Sequence, residues 1–361
     1  MSHVAIFLPD VEGGGAERVM VTLANGFAVR GHQVDLVLAK ARGSYLGEVA
    51  GNVRVIDLNK GRVATSILPL AQYLRRERPT ALLSALNHAN IIAIIAKKLS
   101  GVPMRLVVSE RNSPLRTLMG GGQVAIFRAL TRCLYPATDG IICVAKGIQD
   151  ELEHLLGLPP EKLHTVYNPL DLSRIESLKA DVPDHVWFRQ HQSPVIVAAG
   201  RLTAQKDYPT LLRAFQHLRR TRDAKLIVLG KGEERAALLQ LVDELDIGAH
   251  VDFVGFQDNP FAWMAASDLY VMSSAWEGLP GSLLQAMACG TRIVSTDCRT
   301  GPAEILENGR WGRLVPVGDS HALGEAMAVA LDDPSPPQVT ERAHAFGLDR
   351  AIDGYARLLA L

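Results

Sequence analysis

Glu277 lies just after the apolar stretch 268–274, and Gly278, Leu279, Pro280 and Gly281 separate it from the helical run 282–289. An acid at a strand end, a turn loosened by two glycines and a proline, and a helix whose first N–H groups lack partners make a seat for an anionic, hydroxyl-bearing ligand. An ordinary strand–turn–helix of an α/β protein would carry the same pattern. The segment 200–207 follows another apolar run and offers Arg201 and Lys206. These could grip a diphosphate, Arg as a fork and Lys as a point charge, or stand as plain surface charges. Gly230 and Gly232 flank Lys231 after the next apolar run, where glycine permits close backbone approach to a ligand.

The first half of the chain carries weaker signals. Gly13, Gly14 and Gly15 precede Glu17 and Arg18 between the first strand and the first helix, a loop that tolerates phosphate but is not a Gly-x-Gly-x-x-Gly fingerprint. Glu110 and Arg111 group polar side chains after a strand, facing an acceptor or forming a structural ion pair. His88 has a comparable position, though a hydrogen-bonded structural role suits it better. No Asp-x-Asp and no His/Asp/Glu cluster has metal-ligand spacing, so no catalytic metal is expected, and Gly-x-Ser-x-Gly and Walker loops are absent.

Positioning these residues requires sheets. Short β-branched runs near 4–8, 34–38, 54–58, 81–84, 106–109, 141–144 and 165–167 alternate with helical patterns. The pattern restarts near 195–199, 225–229, 251–254, 269–272, 292–295 and 313–315, with helices such as 208–221 and 233–245 between. That rhythm predicts an α/β protein of two doubly wound, Rossmann-like domains facing a cleft, with ligands at the strands' carboxyl ends. The expected boundaries are 1–170 for the first domain and 171–345 for the second, a linker within the polar stretch 168–194, and a final helix in 346–361 returning to the first domain.

Composition agrees with a globular protein: 361 residues, 48% hydrophobic, with 38 basic and 38 acidic side chains. That balance excludes a nucleic-acid footprint in the total. Residues 1–170 nevertheless hold 19 Lys and Arg against 13 Asp and Glu. This excess suits an anionic surface, or is a chance asymmetry of solvated faces. The segment 115–134 places Leu118, Met119, Val124, Ile126, Phe127 and Leu130 near Arg116, Arg128 and Arg132, as an interfacial helix or a core helix would. Cys133, Cys143, Cys289 and Cys298 show no Cys-x-x-Cys spacing, which fits a reducing compartment. With the apolar run 4–8 at the very start and no long apolar segment, a cytoplasmic protein, at most peripheral at the inner face of the membrane, is expected.

Taken in order, the 13–18 loop, Gly31-His32, the 200–207 segment, 230–233, Phe253 to Phe256, Glu277 to Gly290 and the run Ser295 to Leu306 resemble the family-4 retaining glycosyltransferases of the GT-B fold over nearly the whole chain. The likeness is greatest to bacterial enzymes that add hexoses or N-acetylhexosamines, often from uridine diphosphate, to polyprenyl-diphosphate-linked glycans or lipopolysaccharide precursors. The resemblance implies that Arg201 and Lys206 hold the donor diphosphate and that Glu277 orients the donor sugar. It further implies that the N–H groups of Gly281, Ser282, Leu283 and Leu284 meet phosphate, that Phe256 lies where the base packs, and that Gly14 and Gly15 close over the diphosphate. His88, Glu110 and Arg111 would then lie on the acceptor side, and catalysis would need neither metal nor cofactor. Gln285 stands where the family's Glu-x(7)-Glu pattern has its second, ribose-binding acid. Glutamine still accepts a hydroxyl bond, weaker by about 1 kcal/mol than a charged partner would make. The competing reading is a non-catalytic GT-B-like subunit that binds a glycan or nucleotide.

Overall fold

The computed structural model describes residues 1–12, 14–111, 113, 122–190 and 192–361. Gly13 and most of the first part of the 115–134 segment, with Arg116, Leu118 and Met119, lie outside them. The chain divides into two compact units, Met1–Pro169 with Leu348–Leu361, and Leu170–Gly347.

In the first unit β1 (His3–Leu8), β2 (Gln33–Leu38), β3 (Val53–Asp57), β4 (Ala81–Ala85), β5 (Arg105–Glu110), β6 (Gly140–Cys143) and β7 (Leu163–Thr165) form one sheet in the order β3-β2-β1-β4-β5-β6-β7. Every pairing is parallel. Strands of this kind are covered on both faces, which is why they read as unbroken apolar runs: Val4 through Leu8 are all fully buried. The second unit repeats the plan with β8 (Val195–Ala199), β9 (Lys225–Leu229), β10 (Val251–Gly255), β11 (Leu269–Met272), β12 (Ile293–Thr296) and β13 (Arg313–Val315), ordered β10-β9-β8-β11-β12-β13 and again parallel. The strand order reverses between β1 and β4 in the first unit and between β8 and β11 in the second. At such a switch point the loops leaving two adjacent strands diverge and leave a crevice at their carboxyl ends.

The C-terminal helix Leu348–Leu359 packs within the first unit. Gly26 admits it, since a Cβ there would lie 2.4 Å from Ile352 Cδ1. Arg30 holds Asp353 at 2.5 Å, and Tyr355 is fully buried. Two expectations change. The last strand of the first sheet runs Leu163–Thr165 rather than 165–167, and the polar stretch after 170 is folded. Helix Leu172–Leu178 starts there with Asp171 accepting from the Arg174 N–H, and Val186–Gln190 follows within the second unit. Among the described residues no helix is long and apolar enough to cross a membrane.

Candidate active site

The second unit's switch point brings together the two segments singled out by residue type. After β8 the chain turns through Arg201 to the short helix Ala204–Lys206, and after β11 it reaches Glu277. Lys206 Nζ lies 2.5 Å from Glu277 Oε1, both side chains largely withdrawn from solvent. Ser274 Oγ donates to the same carboxylate oxygen at 2.8 Å, and Gln205 Nε2 reaches Oε2 at 3.3 Å. Further bonds fix the backbone: Thr300 Oγ1 donates to the Glu277 carbonyl, Ser273 Oγ to the Lys206 carbonyl and the Ala275 N–H to the Gln205 carbonyl. Sequence reasoning missed Ser274, Gln205 and Thr300. Ser274 and Gln205 stand within three residues of the two charged groups, which was the available signal; Thr300 has none.

Two glycines open the space. Lys206 passes so close to Gly200 that a Cβ there would meet Lys206 Cε at 2.8 Å. Gly230, at φ 139, faces Gly200 backbone to backbone, and a Cβ on it would lie 1.9 Å from the Gly200 carbonyl oxygen. Its need for glycine comes from this neighbouring loop before any ligand is considered.

Beside Glu277 the helix Gly281–Cys289 begins with Pro280 at its N-cap and no side-chain cap. Leu284 N–H donates to the Pro280 carbonyl, so the expected phosphate donors reduce to Gly281, Ser282 and Leu283. Leu283 and Leu284 bury their side chains, Gly281 is exposed, and Ser282 Oγ is buried beside the Tyr270 hydroxyl. Gln285 is half-buried one turn on, and Phe256 is 63% exposed after β10. Arg201 is exposed with no ion-pair partner among the described residues. Cys298 lies buried nearby, where burial and next the Glu277 charge push its thiol up to about 12, leaving it an inert thiol.

In the first unit the candidates separate. His88 is exposed in the first turn of helix Asn87–Ser100; desolvation of its ring holds its pKa below the usual value against the opposing fields of Glu17 and Asp10. Gly14 caps helix Gly15–Val29, and a Cβ on it would lie 2.1 Å from Glu17 Oε2. The Glu17 carboxylate therefore already lies against this helix start, and a diphosphate approaching Gly14 and Gly15 would meet its charge. Glu110 and Arg111 require correction. Glu110 is fully buried, accepting from Asn90 Nδ2 at 3.1 Å and from the Tyr135 hydroxyl. Arg111 is 7% exposed and donates to Asn168 Oδ1 at 2.6 Å and to the Tyr355 hydroxyl at 3.4 Å. Both side chains are turned into the first unit, and they do not pair with each other, since successive residues at a strand end point to opposite faces. Among the described residues no group of three His, Cys, Asp or Glu side chains converges as a metal site would.

The chain is similar to known proteins in sequence and in fold. Residues 184–347 match the model described as glycosyl transferases group 1, and residues 13–174 match glycosyltransferase family 4. The N-acetylgalactosamine-N,N'-diacetylbacillosaminyl-diphospho-undecaprenol 4-alpha-N-acetylgalactosaminyltransferase of Campylobacter jejuni is 28% identical over 92% of this chain and 91% of its own. A lipopolysaccharide core biosynthesis glycosyltransferase of Rhizobium meliloti is 28% identical over 96% of each chain. The Anabaena protein HepE, solved in complex with UDP-glucose, superposes with a TM-score of 0.82 at 20% identity over the full length of both chains.

Proposed function

Since this chain belongs to the family-4 glycosyltransferases and has the GT-B fold, we propose that it moves a hexose or N-acetylhexosamine from a UDP-linked donor to a lipid-linked or cell-surface glycan acceptor, with retention and without a metal. The observation that carries this reading is the Lys206–Glu277 pair at the switch point of the second sheet, beside the uncapped start of helix Gly281–Cys289. A lysine has three donors. One is held by Glu277, which keeps Nζ in place and leaves two for a departing diphosphate. Negative charge grows on that diphosphate in the transition state, and Lys206, Arg201 and the helix N–H groups stabilise it there. Glu277 Oε2, bonded among the described residues by the longer Gln205 contact alone, accepts from a donor-sugar hydroxyl. The polyprenyl-linked and lipopolysaccharide acceptors named for the relatives support an acceptor at a membrane surface, with this chain associating peripherally.

The test is UDP release from UDP-N-acetylgalactosamine and UDP-glucose, with and without a polyprenyl-diphosphate-linked N-acetylhexosamine, alongside thermal-shift titrations with UDP, GDP and ADP. Stabilisation by UDP alone among the three and acceptor-stimulated release support the reading. Stabilisation by GDP or ADP instead would move the donor to another nucleotide.

A further inference from the structure

Glu110 ends β5 in the core of the first unit, and its two oxygens are unequal. Oε1 takes both donors, Asn90 Nδ2 at 3.1 Å and the Tyr135 hydroxyl, while Oε2 is buried with no partner. Asn90, itself fully buried, shows the complementary defect. Its Nδ2 donates to Glu110 and, at 3.0 Å, to the Ser109 carbonyl, while its Oδ1 has no partner. Two orphaned acceptors on two side chains already bonded to each other are costly, since each buried polar atom left unpaired loses its hydration for nothing. One proton resolves both.

We propose that Glu110 is carried as the neutral carboxylic acid, its Oε2–H donating to Asn90 Oδ1, so that the two side chains close a cyclic acid–amide pair that seats helix Asn87–Ser100 on the end of β5. Glu110 is then a positioning residue. The helix it seats presents His88 in its first turn, and Leu86, the residue before that helix, is held at a φ of 78. A non-glycine residue there persists only when its surroundings fix it. The statement that this matters for acceptor binding rests on the glycosyltransferase reading above.

The surroundings favour the neutral form. Among the described residues the titratable groups facing Glu110 are Tyr135, from the turn after helix Gly122–Leu134, and Cys143 on β6. Both are uncharged, their pKa values pushed up by burial and next by Glu110 itself. Among the described residues no cation hydrogen-bonds to Glu110, and the next residue, Arg111, donates instead to Asn168 and Tyr355. Burial raises the Glu110 carboxyl to about 7, against the opposing bonds from Tyr135 and Asn90. An acid raised in the native state keeps its proton where the unfolded chain has released it. Stability is therefore greatest below the ordinary carboxylate range, falls as pH rises from there to about 7, and is level beyond. A rise in pH above neutrality thus puts a bare charge under the helix and loosens the pair.

Glu110→Gln reproduces the pair permanently, its amide N–H taking the place of the acid O–H. Melting temperatures and infrared difference spectra of the full chain, together with acceptor-dependent UDP release, are measured from about pH 5 to pH 8. The expected results are a protonated-carboxyl stretch in the wild type near pH 5 that Glu110→Gln lacks, a higher melting temperature for Glu110→Gln than for the wild type at pH 8, and a flatter activity profile. Glu110→Ala, which leaves the Tyr135 hydroxyl without its acceptor and opens a cavity beside Asn90, should melt lower at every pH. A wild type without that carboxyl band, or a Glu110→Gln variant that melts below the wild type at pH 8, overturns the pair. A wild type with no acceptor-stimulated release at any pH contradicts the glycosyltransferase reading instead, and leaves the melting and infrared results to decide the pair.

Discussion

Lys206 and Glu277 are 71 residues apart in the chain and 2.5 Å apart in space, joined where the order of the second sheet reverses. The pair makes each residue the other's support, so substitutions should separate positioning from charge.

Glu277→Gln keeps the Ser274 bond and the Thr300 bond to the backbone but loses the anion. Turnover should fall at least ~10²-fold, about 2.7 kcal/mol in the barrier, while UDP affinity stays within about threefold. Initial rates and UDP titration calorimetry measure both. Turnover within threefold of wild type would remove Glu277 from the reacting sugar.

Arg201→Ala and Lys206→Ala should each lower turnover by roughly 10²-fold or more, as removing a preorganised contact to developing charge typically does. They should differ in stability. Arg201 is exposed, so its loss leaves melting unchanged, whereas loss of Lys206 strands a Glu277 that is 8% exposed and lowers it. Lys206→Arg should rescue little, because the lysine stem threads past Gly200 where a guanidinium is too wide. Two alanine variants with normal turnover would place the diphosphate elsewhere.

Gln285 is half-buried one turn into the helix Gly281–Cys289. If it accepts from ribose hydroxyls, Gln285→Glu should tighten UDP binding or leave it level, since a charged acceptor makes the stronger bond. A large loss of UDP affinity would mean that the amide N–H is the group in use.

The described part of helix Gly122–Leu134 leaves Ile126 62% and Leu130 37% exposed beside exposed Arg128 and Arg132. Ile126 and Leu130 share one face of this helix and Arg128 and Arg132 lie toward the opposite one, an amphipathic layout that suits an anionic lipid surface, at about 1 kcal/mol per basic residue. Sedimentation with phosphatidylglycerol vesicles should show salt-sensitive binding, weakened by Arg128→Glu with Arg132→Glu. Equal binding to neutral vesicles, or none, would favour an acceptor in solution.

Parallel strands buried on both faces announce themselves as apolar runs, which is why the sheets of both units were legible in sequence. The family's charged residues were legible by type and order. What linear reading could not supply was pairing at a distance. Nothing in the linear order shows that Glu277 bonds directly to Lys206 and Gln205, and Glu110 resembles any polar residue at a strand end until Asn90 and Tyr135 arrive from two other elements. Gly230 has a second reason to be glycine that was hidden for the same cause, because its neighbour Gly200 is 30 residues earlier. β7 was misplaced by two residues because a three-residue strand carries too little pattern to set its ends.

Acceptor-dependent release of UDP tests the central claim most directly. With a UDP-linked N-acetylhexosamine and a polyprenyl-diphosphate-linked N-acetylhexosamine, the wild type should release UDP faster than with donor alone and yield one new α-linked product, and Glu277→Gln should bind UDP yet release almost none from the donor. UDP binding by both proteins with no acceptor-stimulated release from either, across hexose and N-acetylhexosamine donors, would contradict transfer from a UDP sugar.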